Sequence, residues 1–68
     1  MSTIKKQLRT VYNSIKNTQS KDCLEYFYGY ARGIVMAMLT TEIINIDGYD
    51  KYTTLLEKTY KTKILEVK

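Results

Sequence analysis

Histidine and proline are absent from this 68-residue chain, cysteine occurs once and glycine three times. Each shortage removes a class of chemistry. Without histidine and with only Cys23, a zinc site lacks its usual ligands, and no disulfide can close within the chain. A nucleophile would have to rely on lysine or a carboxylate as its base, and no Ser/Lys or paired-acid arrangement stands out. Gly29 and Gly33 lie inside a helical pattern rather than in a loop after a strand, so there is no phosphate cradle. The chain is therefore expected to be no enzyme, with no metal and no cofactor.

Long apolar runs are lacking too. The longest uncharged one, Gly33 to Leu39, is far short of the roughly 20 residues that span a bilayer. Lys5 and Lys6 are not followed by the apolar core of a signal peptide. A lone cysteine favours a reducing compartment, and the expected location is the cytoplasm. A single small domain, 1–68, is marginal by itself unless metal, disulfides or self-association support it. Only association remains.

What is present is helical periodicity, cut by two polar clusters, "NTQS" at 17–20 and "NIDG" at 45–48. Ile4, Leu8, Val11 and Ile15 form one stripe, with Ser2 or Thr3 as N-cap. Ser20 is the expected N-cap of the second segment, with Asp22 and Glu25 in its first turns. Asn45 is read as the left-handed residue that ends it, and Asp47 as the cap of the third. There Tyr49, Tyr52, Leu56, Tyr60, Ile64 and Val67 recur at helical spacing. "EIINI" could be a strand locally, but a lone strand has no partner. The expectation is all-α, with three helices at about 3–17, 21–44 and 48–66. Short connections make neighbours antiparallel, and helices two and three form a hairpin with helix two central.

"YFYGYARGIVMAML", residues 26–39, is the least ordinary stretch. Unrolled at about 100° per residue, helix two gathers Leu24, Phe27, Tyr28, Ala31, Ile34, Val35, Met38 and Leu39 on an arc of roughly 140°. That arc is wide enough to receive both other helices. The opposite side holds Tyr26, Gly29, Tyr30, Gly33, Ala37 and Thr40, with Met36 at the border, and these seven include no charge. A solvent-facing side would normally carry Lys and Glu. Glycine inside a helix costs about 1 kcal/mol relative to alanine, yet Gly29, Gly33 and Ala37 align every four positions. They make a groove along which another helix could approach closely, rimmed by Tyr26 and Tyr30 as at many interfaces. Two readings stand: a second molecule fills the groove, or helices one and three between them cover both sides of helix two.

Other motifs are weaker. "INIDGYDKYTTL" sets Asn45, Asp47 and Gly48 at calcium-loop spacing, but Ile43 and Thr54 stand where acids are required. Cys23 falls in the first turn of helix two, where the dipole favours a thiolate; most such cysteines are small core-edge residues. Charge is uneven. Residues 1–21 hold Lys5, Lys6, Arg9, Lys16 and Lys21 with no acid, whereas 22–57 are net acidic and 58–68 basic again. Lys5, Arg9 and Lys16 fall within about 40° of each other, opposite the Ile/Leu/Val stripe. That face is either an ordinary solvated one or a contact for phosphates or an acidic partner. Only two arginines occur, no stacked aromatic lies on this face, and no recognition helix is evident, so base-specific reading is not expected.

"YGYARGIVMAMLTTEIINIDGYDKYTTLLEK" resembles a helical hairpin of small uncharacterised proteins from phages and mobile elements of Gram-positive bacteria. The corresponding residues are Gly33 to Leu39, then Asp47, Tyr52, Leu55 and Leu56. Ile44, Asn45 and Ile46 replace the acids usual in that turn. The resemblance implies a bacterial or phage intracellular origin and no defined activity. The function expected is a non-catalytic protein–protein interaction module, a homodimer through helix two, and in a phage setting a regulator or inhibitor of a host protein. The alternative is a nucleic-acid accessory protein that uses the basic face of helix one.

Overall fold

The computed structural model describes residues 3–67 and contains three helices: α1 (Thr3–Asn17), α2 (Lys21–Thr40) and α3 (Ile46–Ile64). Thr3 is already helical, and Ser2 lies outside the described residues. Ser20 caps α2 as expected: its backbone is extended and its side chain accepts the Cys23 amide at 3.3 Å, satisfying one of the first-turn donors.

The α2–α3 junction differs from the expectation. α2 stops at Thr40, not near residue 44. The Thr40 and Thr41 hydroxyls turn back onto the Met36 and Ala37 carbonyls at 2.9 and 2.8 Å, a competition that weakens helix continuation. The left-handed residue is Glu42, at φ 63°, rather than Asn45. The Ile43 amide reaches the Met38 carbonyl at 2.8 Å and the Glu42 amide reaches Leu39 at 3.1 Å, the paired bonds of a Schellman ending. Asn45 instead caps α3, its side chain accepting the Gly48 amide at 2.9 Å. Asp47 sits inside the first turn, where its charge suits the dipole. Ile44 before the cap and Tyr49 after it both pack on the core, as a hydrophobic staple does. The turn also holds Gly48 closely, since an added Cβ would lie 3.2 Å from that of Ile44. α3 ends at Ile64, two residues early, and Val67 still folds back into the core.

Glutamate in the left-handed region is strained, and glycine there is not. Glu42→Gly is expected to raise stability by about 0.5–1 kcal/mol, read as a Tm increase of about 2–8 °C in a domain of this size. An unchanged or lower Tm would show that the turn is not held in this conformation.

Packing follows the wheel. Leu24, Ala31, Ile34, Val35 and Met38 of α2 are buried, with Phe27 and Tyr28 packed beside them. Leu8 and Ile15 approach from α1, Leu56 from α3. α2 packs more extensively on each neighbour than they do on one another, so it is the central helix. Side-chain pairs fix the directions. Tyr60 meets both Glu25 and Tyr28, each about as far before the turn as Tyr60 is after it, so α2 and α3 are antiparallel. Tyr12 pairs with Thr59 and Lys63 with Lys16, a constant offset that makes α1 and α3 parallel. The bundle runs up, down and up.

Among the described residues, one polar side chain is buried in this frame. Lys63, 9% exposed, donates its ammonium to the Lys16 carbonyl at 2.9 Å. That carbonyl belongs to the last turn of α1, where a cation suits the negative end of the helix. Lys63 therefore ties the C-terminal ends of the two parallel helices together.

Candidate functional site

The side of α2 that faces away from its neighbours carries the residues singled out above. Tyr26 is 64% exposed, Tyr30 45% and Met36 48%; Gly29, Gly33 and Thr40 are exposed and Ala37 half-buried. Within the single chain, α1 and α3 leave this side open, contrary to the reading in which they cover both sides of α2. Tyr26 meets Phe27 and Tyr30 edge to face, with centroids 5.7 and 6.1 Å apart, the preferred aromatic arrangement. The two tyrosines thus form a joined rim at one end of the strip, and Met36 lies further along. Asp22 falls on the same azimuth, one turn before Tyr26.

The glycines are informative because the fold does not require them. A Cβ built at Gly29 or Gly33 meets nothing within 4 Å. Neither residue has positive φ. Alanine at each position would fit and strengthen the helix.

Along one flank of the strip, α2 and α3 are joined by polar and aromatic contacts. The Tyr60 hydroxyl donates to the Glu25 carboxylate. The Tyr60 ring stacks on Tyr28 with centroids 4.4 Å apart and planes at 21°, while the Arg32 guanidinium stands 5.7 Å from the Tyr28 centroid. Donation to Glu25, then partial burial, then the negative charge of Glu25 and the nearby Tyr28 together raise the Tyr60 pKa above its ordinary 10.0. The folded phenol thus holds its proton more tightly than the unfolded one. The associated stability is complete below about pH 10 and is lost as pH rises through the folded pKa. Glu25→Gln should return one phenol to the ordinary range in an ultraviolet titration; a titration curve identical to wild type would deny the contact.

The basic residues of α1 are arranged otherwise than expected. Lys5 and Arg9 border the apolar stripe, lining a groove against α3 together with Leu8, Tyr12, Tyr52, Leu55 and Leu56. Their mean azimuth lies about 110° from that of the stripe, so they flank it rather than oppose it. Lys16 belongs to the continuation of the groove, its ammonium 5.4 Å from the Tyr12 centroid. An aromatic therefore does lie on the basic face, with a lysine over it.

Other motifs come to rest quietly. Cys23 is an exposed free thiol. The stretch that spaces like a calcium loop is helical from Ile46 onward. Among the described residues, no three of Cys, Asp and Glu gather as metal ligands, and no helix is long and apolar enough to cross a membrane. Comparison with protein-family models, with curated proteins and with solved structures finds no match to this chain.

Proposed function

We propose that this protein is a non-catalytic protein–protein interaction module that self-associates as a homodimer through the exposed strip of α2. The observation that carries the reading is the pair of glycines at 29 and 33. Each weakens the helix by about 1 kcal/mol, and no atom of its own fold stands where a Cβ would go. A second α2 packed across the strip gives them a purpose, because small residues such as Gly and Ala let two helix backbones come close. Tyr26, Tyr30 and Met36 are the residue types enriched where surfaces dehydrate on contact. A two-fold axis near Gly33 would set Gly29 against Ala37 of the second copy and Tyr30 against Met36, the self-complementarity that an isologous dimer needs.

The hairpin resemblance extends the proposal to a phage-encoded regulator or inhibitor that acts in the cytoplasm on a host protein. A chain whose groups suggest no catalysis acts by occupying a surface. Light scattering on Ala37→Glu tests the dimer: a carboxylate in the middle of the strip should hold the protein at monomer mass where wild type is dimeric. If the variant associates as wild type does, the strip is not the contact.

A further inference from the structure

The parallel register of α1 and α3 creates a second surface. Residues at the same offset line two adjoining hollows between these helices: Lys5, Leu8, Tyr52 and Leu55 in one, Lys16, Thr59 and Lys63 in the next. Tyr12 and Leu55 border both, the Tyr12–Thr59 and Lys63–Lys16 bonds join the helices, and together the hollows make a groove. Its floor is apolar. Leu8 and Leu56 lie deep, while Leu55 remains 43% exposed. Its walls are cationic, with Lys5 and Arg9 at one end and Lys16 and Lys58 at the other, all exposed. Among the described residues, Glu66 is the one acid in the lining. The groove holds about 270 Å³ at the Lys5–Arg9 end and about 450 Å³ at the Lys16–Lys58 end, an elongated trough rather than one enclosed cavity. It suits side chains entering from a docked segment.

We propose that this groove docks an acidic amphipathic helix of a partner protein, leucine-type side chains on its floor and carboxylates against its lysine and arginine walls. Charge complementarity selects this occupant. The uncharged strip of α2 offers nothing to four cations, so a second copy of this chain using that strip does not fit. A nucleic acid would supply the charge, but of the two rings in the lining Tyr12 has Lys16 over it and Tyr52 is half-buried against the core. An aliphatic floor between cationic walls matches the apolar face of a helix laid lengthwise. α1 is 15 residues long, so a segment of about 15 residues spans the groove.

Fluorescence anisotropy with a labelled synthetic peptide of about 15 glutamates and leucines, its leucines at helical spacing, tests this against the full chain at about 100 mM salt. Binding in the micromolar range is expected. A peptide of the same composition with scattered leucines, and a single-stranded oligonucleotide, should each bind at least about tenfold more weakly. Leu55→Gln, and separately Lys5→Gln with Arg9→Gln, should each weaken binding about fivefold or more with unchanged circular dichroism. Gly33→Leu, which addresses the α2 strip alone, should leave it unchanged. Equal binding of the scattered peptide, tighter binding of the oligonucleotide, or indifference to Leu55→Gln would each overturn the proposal.

Discussion

Gly33→Leu is expected to abolish self-association while making the isolated chain more stable. The two effects have opposite signs because they arise from different states. In the single chain the position is open, since an added Cβ touches nothing within 4 Å. Leucine there exchanges the poorest ordinary helix former for a good one, a gain of about 0.7 kcal/mol and a Tm rise of roughly 3–6 °C at concentrations where only monomer is present. In the proposed dimer the same side chain would stand where the partner backbone should lie and would force the helices apart. Thermal melts at low concentration and light scattering at high concentration read the two effects separately. A variant that is stabilised and still dimeric would remove the strip from the interface. One that is destabilised as a monomer would mean that Gly33 serves the fold.

Leu24→Ala should cost more than any surface change. Leu24 is fully buried at the start of α2, and removing such a side chain costs about 2–5 kcal/mol through lost burial and an unfilled cavity. A chain of 68 residues has roughly 3–10 kcal/mol in total. The variant should therefore be partly or wholly unfolded at 37 °C, with loss of helical circular dichroism. Raising protein concentration should restore part of the wild-type Tm if dimerisation is linked to folding. A Tm within about 5 °C of wild type would show that α2 is not the centre of the core.

Much of this bundle was legible in the residues. The stripes Ile4–Leu8–Val11–Ile15 and Leu24 to Met38 have no competing period, and their wheels name side chains that are buried or packed on the core. Leu39, placed on the same arc, is only half-buried and lies by the α2–α3 turn instead. The α2–α3 junction was misread for a physical reason. Asn is the usual non-glycine residue in the left-handed region, and Glu42 at φ 63° is there because the Schellman bonds and the core contacts around it determine the turn. Nothing in the letters "TTEIIN" announces that.

The groove between α1 and α3 was missed although two signals existed. Leu55 and Leu56 are adjacent, about 100° apart on a helix, so they point in different directions; the structure buries Leu56 and leaves Leu55 at the groove. Lys63 falls inside the apolar arc of α3, between the azimuths of Tyr52 and Leu56. A lysine there must find an acceptor, and it finds the end of α1. Knowing which acceptor required the parallel packing, which no single helix reveals.

The central claim is that the α2 strip holds a second copy. Its dimensions, one helix face on each side, put it at the low end of specific interfaces, about 1,000–1,200 Å² in total, and association in the micromolar range is the expected outcome. Light scattering of the wild-type chain from about 1 µM to about 1 mM tests this most directly. The mass should rise from 8.0 kDa toward twice that value, with little dependence on salt because the strip's central residues carry no charge. A mass that stays at 8.0 kDa through the millimolar end would contradict the claim.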